Sequence, residues 1–448
     1  MFDNTLEYGI LGMARSGIAA ARLIKDLGSK VFLSELRGSD QVKDAGELQQ
    51  QFDCEFGGHT DRLYHCDRWI VRPGIPLDSP IILAGKKRNI PMISEIELGY
   101  QVKAQDSKII AVTGSNGKST VASLIDHLLK NNGYRSILAG NIGAAFCSFP
   151  IHKPGYDFIV LEISSFQLDL IDTIRPNVAV LLNITPDHMN RYAGFNDYIN
   201  SKFRIFENQR PEDTAVICLD SEPVAERQNR IPARLRRYSL HLKAPDCDAW
   251  MQEGEIRLGI RHRLPVKDLK IMGPHNHANV MAALLAADAL TNDMANLIDA
   301  ARAFMPLTHR LEFVADINGV LFFNDSKATN TDSVRSALLS FDKPIRIIMG
   351  GSDKGEDFSV LTELLKQKTK KVYVTGDTAP QMEKIWKDQM DLEHVPDFED
   401  CIRKAWQDSQ TGDIVVLSPA CASFDRFRNF EHRGDVFKSI VEKMANEV

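Results

Sequence analysis

Four apolar runs lie in the middle of this 448-residue chain: KIIAVT (108–113), DFIVLEI (157–163), NVAVLLN (177–183) and TAVICL (214–219). They are rich in β-branched residues and do not alternate with polar ones. A strand with one face in water alternates; a run without alternation is covered on both faces. Helix-period stretches separate the runs, and the arrangement that satisfies both patterns is a parallel sheet flanked by helices. The same grammar recurs on either side. Before these runs come the strand Tyr8–Leu11, a glycine turn, a helix over Ala14–Leu27 ending at Gly28, a strand Lys30–Ser34, and the strand Trp69–Val71 leading into Pro73-Gly74. From about Pro306 onward the strands are GVLFFND (319–325), PIRIIMGG (344–351), KVYVTG (371–376) and DIVVLSP (413–419). The polar helical stretch in 92–107 marks a boundary. The irregular, basic segment 221–270 is expected to add antiparallel β structure, and NHANVMAALLAADAL (276–290) reads as a helix closing the middle block.

The loop after the first central strand carries the strongest chemical signal. VTGSNGKST (112–120) resembles the phosphate-loop pattern G-x-x-x-x-G-K-S/T, but Val112 stands where the first glycine belongs. Ile109–Thr113 reads as a strand, and Val121, Leu124, Ile125, Leu128 and Leu129 give Ser119–Lys130 helical spacing. Backbone N–H groups and the positive end of the helix dipole converge on an anion at such a junction. Gly114 and Gly117 permit close approach, with Ser115 and Asn116 between them. Lys118 can neutralise phosphate, and Ser119 or Thr120 can reach Mg²⁺. Glu162, at the end of the neighbouring strand, is the acid that such a loop needs as a second Mg²⁺ anchor.

The next strand ends in NITPDHMNRY, bringing Asp187 and His188 to the same rim. A lone histidine is usually structural; here it is a candidate ligand for a second metal ion. In the following helix, FNDYINSKFRIFENQ (195–209), Tyr198, Lys202 and Ile205 share one face. A lysine on such a stripe normally reaches out to water, and the residues alone favour that reading. Held inside, it would be a reactive neutral amine.

The fold class expected is α/β with three domains: N-terminal Rossmann-like (1–96), central P-loop ATPase-type parallel sheet (97–305) and C-terminal Rossmann-like (306–448). The first lacks G-x-G-x-x-G, but Gly9, Gly12 and Gly17 follow a strand and can present N–H groups to a diphosphate, with Glu35 at the end of the second strand. In the third, NDSKATN (324–330), GGSDKGEDF (350–358) and SPACASFDRFRNFEHRG (418–434) all follow strands. They offer Lys327, Thr329, Lys354, Ser423 and Arg428 for carboxylate or phosphate capture.

The net charge of −6 gives no basic stripe for nucleic acid. Seven scattered cysteines without C-x-x-C are neither a disulfide framework nor a zinc signature. With no basic leader and no apolar run of about 18 residues, the expectation is a cytoplasmic monomer with small-molecule substrates, no nucleic acid and no membrane partner.

TGSNGKST, LEISSFQL (161–168), NITPDHMNRY (183–192) and SPACASFDRFRNFE (418–431) together resemble the Mur ligase family of peptidoglycan synthesis, along essentially the whole chain. Within it they are most similar to the branch that adds D-glutamate to UDP-N-acetylmuramoyl-L-alanine; the D-N-P-R-like motif of the dibasic-adding branch is absent. The resemblance implies that ATP phosphorylates the alanyl carboxylate and that the glutamate amine attacks the acyl phosphate. It implies catalytic roles for Lys118, Glu162, His188 and Lys202. Two Mg²⁺ ions would be held by Ser119, Thr120, Glu162, His188 and a carbamylated Lys202, against the reading of Lys202 from residues alone. Asn276, Asn279, Arg310 and Asp325 would complete the ATP site. Gly12, Ser34, Glu35, Arg37 and Gly74 would contact the UDP part, with Asn141, Ser164 and His188 at the muramoyl-alanine end. Lys327, Thr329, Lys354, Ser423 and Phe430 would hold glutamate.

Two departures stand out: Arg72 in IVRPG, where the family commonly has a small residue, and NRY after His188 in place of D-R-H. Two other readings stay open: a ligase of the same superfamily using L-glutamate, and a non-catalytic nucleotide-responsive binding protein. An NAD-dependent oxidoreductase is disfavoured by the missing glycine fingerprint.

Overall fold

The computed structural model describes residues 2–187, 189 and 191–447. His188 therefore lies outside the described residues. Three sheets follow one another along the chain. In spatial order the first holds Asp53–Phe56, Lys30–Glu35, Glu7–Leu11, Arg68–Val71 and Met92–Ile93, all parallel. The central sheet runs His262–Pro265, Glu255–Leu258, Ala249–Gln252, Arg234–Ser239, Thr214–Cys218, Val178–Leu181, Lys108–Thr113, Phe158–Glu162 and Ser136–Gly140. Its last two pairings at the His262 edge are antiparallel, as expected in 221–270, but the segment's first strand, Arg234–Ser239, extends the sheet in parallel with both neighbours. The third sheet is Glu312–Ile317, Val320–Asn324, Ile414–Leu417, Ile345–Met349, Thr369–Val374 and Leu392–His394, parallel except for the Glu312–Ile317 edge.

The unalternating runs occupy the sheet interiors, and every residue of Phe158–Glu162 and Val178–Leu181 is buried. The strands missing from the sequence reading are Asp53–Phe56, Ser136–Gly140, Glu312–Ile317 and Leu392–His394, with the two-residue Met92–Ile93. All are edge strands. An edge strand is covered less completely and carries a weaker apolar pattern. The helix expected over 195–209 is shorter, Phe195–Phe203 followed by a 3₁₀ turn at Arg204–Phe206.

The chain divides into two compact units, residues 1–268 with 278–302, and residues 269–277 with 303–448. In the first, the polar helix expected near the boundary is Glu95–Val102, and its acids are inside. Glu97 is 0% exposed and accepts the N–H groups of Asp172, Thr173 and Ile174 at 3.0 Å each, plus the Thr173 hydroxyl at 2.5 Å. Glu95 accepts the Cys147 N–H at 2.6 Å. Burial pushes its carboxyl up to about 7, against the pull of that hydrogen bond. Among the described residues, no helix is long and apolar enough to cross a membrane.

Candidate active site

The phosphate loop is held in shape by the strand end beside it. Ser115 N–H donates to the Asn183 carbonyl at 2.8 Å, Asn116 N–H to Asn183 Oδ1 at 2.8 Å, and Asn183 Nδ2 returns to the Asn116 carbonyl at 3.1 Å. The Ser115 hydroxyl donates to the Thr185 carbonyl and accepts the Thr185 N–H, both at 3.0 Å, and lies 3.1 Å from the Tyr198 hydroxyl. Gly114 has φ +153° and Gly117 φ +87°, where side chains are strained. A Cβ on Gly117 would also come within 2.5 Å of Asn279 Oδ1. This places the expected Asn279 beside the loop.

Two lysines converge on one oxygen. Lys118 Nζ donates to the carbonyls of Gly114 and Ser115 at 2.8 Å, and Lys202 Nζ donates to the same Gly114 carbonyl at 2.8 Å. Lys202 is 1% exposed, with its ammonium 4.6 Å from the Tyr198 ring centroid. Burial, followed by repulsion from Lys118, lowers its pKa well below the ordinary lysine value. The solvent-facing orientation favoured by the residues alone is overturned. Tyr198 and Ile205, on the same stripe, are buried as well, so the stripe faces the core and carries the amine inward.

Strand pairing sets Val112 opposite Glu162. Glu162 is 2% exposed; Oε1 accepts the Asn141 amide at 2.7 Å, while Oε2 has no hydrogen-bond partner among the described residues. Thr113 Oγ1, at the end of the loop strand, is likewise buried and unpartnered. Buried oxygens are normally satisfied. Two open ones on adjacent strand ends, beside a phosphate loop with Ser119 and Thr120 opening its helix, suit a hard cation with phosphate ligands. Among the described residues, no group of three His, Cys, Asp or Glu could hold a metal by itself. The Ser164 hydroxyl caps the short helix Ser165–Leu168 through a capping box with Gln167.

On the rim of the first sheet, Glu35 accepts the Met13 N–H at 2.7 Å and two bonds from the Arg37 guanidinium, at 3.0 and 2.9 Å. Burial opposes ionisation, but these bonds prevail and hold the carboxyl near 2. Ser34, fully buried, contacts Glu55 at 2.5 Å and His59 at 2.6 Å. Gly12 and Gly74 both face Arg72.

The second unit has its own site. Asp325 accepts from the Ser418 hydroxyl at 2.9 Å and the Leu311 N–H at 3.3 Å; burial raises it to about 7, against the Ser418 bond and the charge of Arg310. The Asn276 amide donates to the Met272 carbonyl at 2.7 Å. Lys327 Nζ stands 4.9 Å from the centroid of the Phe430 ring, joining two expected glutamate contacts. Thr329 is half-buried, Ser423 is buried, and Lys354 and Arg428 are exposed.

The residue behind these loops was missed in the sequence. Arg433, 2% exposed, donates to the carbonyls of Ser326, Cys421 and Ala422 and to the Ser326 hydroxyl, at 2.8 to 3.1 Å. It ties the Lys327 loop to the Ser423 loop. Its only sequence signal is an arginine inside an otherwise amphipathic C-terminal helix, Phe430–Asn446.

A phosphate loop with a neighbouring open carboxylate and a desolvated lysine, in a parallel α/β sheet, is the framework of a nucleotide-binding α/β protein. Residues 112–287 match the Mur ligase middle domain, 309–421 the Mur ligase glutamate ligase domain, and 7–81 the MurD N-terminal domain. The chain belongs to the Mur ligase family. It is 38% identical over 98% of its length, and 97% of the relative's, to the UDP-N-acetylmuramoylalanine--D-glutamate ligase of Koribacter versatilis. It is 39% identical to the protein of the same name from Cytophaga hutchinsonii, over 97% of this chain and 98% of that one. Among solved structures, a MurF ligase from Thermotoga maritima in complex with ADP superposes with a TM-score of 0.65 at 18% identity, covering 92% of this chain and 95% of that one. The UDP-N-acetylmuramate-alanine ligase of the same organism gives 0.62 at 17%, covering 99% and 100%. These two share the fold.

Proposed function

We propose that the protein joins D-glutamate to UDP-N-acetylmuramoyl-L-alanine at the expense of ATP, in three functional domains spanning 1–96, 97–305 and 306–448. The full-length similarity to D-glutamate ligases supports the substrate pair. The convergence of Lys118 and Lys202 on Gly114 beside the open oxygen of Glu162 carries the chemistry.

In this reading the alanyl carboxylate attacks the γ-phosphorus of ATP, and ADP leaves with the cleaved bond's electrons. The glutamate amine then adds to the acyl phosphate carbon, loses a proton, and expels phosphate as the amide forms. Lys118 and the N–H groups of 114–120 bind and orient the phosphates, with Asn276, Asn279, Arg310 and Asp325 serving ATP. Ser119, Thr120 and Glu162 would hold one Mg²⁺, and His188 with carbamylated Lys202 a second. Mg²⁺ supplies charge neutralisation on the phosphoryl group. A neutral lysine amine adds to CO₂ and releases a proton, and the resulting anion relieves its repulsion with Lys118. Gly12, Ser34, Glu35, Arg37 and Gly74 bind the UDP part, and Asn141, Ser164 and His188 the muramoyl-alanine end. Lys327, Thr329, Lys354, Ser423 and Phe430 orient glutamate. Seven free thiols suit a reducing, cytosolic compartment, and the protein is taken to act there as a monomer.

The test is phosphate release with each substrate combination. Turnover is expected with UDP-N-acetylmuramoyl-L-alanine and D-glutamate together, apart from slow leakage of the acyl phosphate. Full turnover with L-glutamate and none with D-glutamate would move the chain to another ligase of the superfamily. Nucleotide binding without turnover would make it a binding protein.

A further inference from the structure

We propose that Arg72 is a diphosphate-binding residue, which makes the first domain select a nucleoside diphosphate over an uncharged nucleoside; this rests on the substrate assigned above. Residue 72 is placed by the sheet: its N–H donates to the Leu11 carbonyl at 3.1 Å, at the end of strand Arg68–Val71. Its stem lies along Gly12, where an added Cβ would sit 3.2 Å from Arg72 Cδ and 3.3 Å from Cβ. Its head lies over Gly74, whose Cβ would be 3.4 Å from Nε and Nη2. Two glycines thus frame the side chain and hold its guanidinium at the rim of the first sheet.

The arginines on the same side of the sheet have partners. Arg37 is bound to Glu35, and Arg15 Nη1 donates to the Gly143 carbonyl at 2.6 Å. The half-buried Arg72 guanidinium has no hydrogen bond or ion pair among the described residues. Glu35, on the same rim, is already engaged by Arg37 and the Met13 N–H, and Glu55 by Ser34 and Thr60. A partly desolvated cation without a counterion is poised for an anion from solution.

The turn that carries it is also braced. Arg191 donates to the carbonyls of Pro73, Gly74 and Ile75 at 2.8 to 3.2 Å, and stacks on Phe166 at 4.3 Å. Arg191 follows Asn183 and Thr185, which hold the phosphate loop. Nearby, the helix Arg15–Asp26 starts at Ala14 with no side-chain cap among the described residues, and uncapped first N–H groups favour an anion. A diphosphate offers oxygens to both and matches the guanidinium fork.

Steady-state kinetics of the full chain test this with R72S, R72K and the neutral R72Q. KM for UDP-N-acetylmuramoyl-L-alanine should rise roughly 10- to 100-fold in R72S and R72Q, the loss expected for a charge-assisted pair. R72K should fall between, and kcat and KM for ATP should stay within about twofold. UDP should compete less well against the variants than against the wild type, and uridine equally. Because the guanidinium has no internal partner, melting temperatures should not change; if R72S is unstable, R72Q carries the comparison. An unchanged or lowered KM in R72S and R72Q would overturn the proposal and make Arg72 an obstruction. A wild-type protein that does not turn this substrate over would overturn the substrate assignment, and this inference with it.

Discussion

The phosphate-loop rim and the loop junction of the second unit each bury a cation, and they treat it in opposite ways. Arg433 is surrounded by acceptors: three carbonyls and a hydroxyl take up its N–H groups. Lys202 is as deeply buried, yet among the described residues it has one carbonyl, which it shares with Lys118. The carboxylates repeat the contrast. Glu97 is saturated by three backbone N–H groups, a hydroxyl and the Gln101 amide, whereas Glu162 keeps one oxygen open among the described residues. Burying a charge is costly in every case. Where hydrogen bonds offset the cost the group is a brace; where they do not, its affinity is left for a ligand or a reaction.

The contrast predicts opposite outcomes for matched substitutions. Lys202→Met should cost the largest effect, roughly 100- to 1,000-fold or more in turnover, with no loss in melting temperature, because an under-satisfied amine is removed. Lys202→Ala should regain part of its activity with short exogenous carboxylates. A Lys202→Met protein that unfolds while remaining active per folded molecule would break the comparison. Arg433→Met should do the reverse and destabilise by about 3–5 kcal/mol in denaturant titrations, since it strands several carbonyls. At permissive temperature it should raise KM for glutamate more than it lowers kcat.

Smaller effects sharpen the carboxylate half. Glu97→Gln should cost about 1–3 kcal/mol, and Glu162→Gln less than about 0.5 kcal/mol while losing turnover. Equal stability losses would mean that the open oxygen of Glu162 is not special. The last effect is confined to a pH window. Glu95 is raised from the ordinary 4.5 to about 7 by burial, so the folded state favours its protonated form. Its contribution is complete below about 4.5 and lost as pH rises through about 7. Glu95→Gln should therefore stabilise the protein relative to wild type by about 1–3 kcal/mol at pH 8, with the advantage shrinking toward pH 5. A pH-independent difference would show that Glu95 does not titrate in this window.

Much of the site was legible because it lies at ends of strands with strong local patterns. KIIAVT, the glycines of TGSNGKST and the amphipathic Lys118–Asn131 helix are each readable within a few residues. Edge strands such as Ser136–Gly140 and Leu392–His394 were not, because their pairing partners, rather than their composition, make them strands. Arg433, Arg191 and Asn183 were missed for a related reason. Their partners are backbone carbonyls and amides, which every residue carries.

By itself, then, the sequence determined the succession of largely parallel α/β sheets and the phosphate loop, because periodicity and glycine spacing are local and survive without contacts; the family came from the resemblance of whole motifs. Only the tertiary structure decided which polar groups are satisfied. Tyr198, Lys202 and Ile205 give the same stripe whether it faces water or core; packing turned it inward and set Lys202 against Gly114 beside Lys118. Partner counts and desolvation depend on groups far apart in the chain, and they separate the lysine that reacts from the arginine that braces.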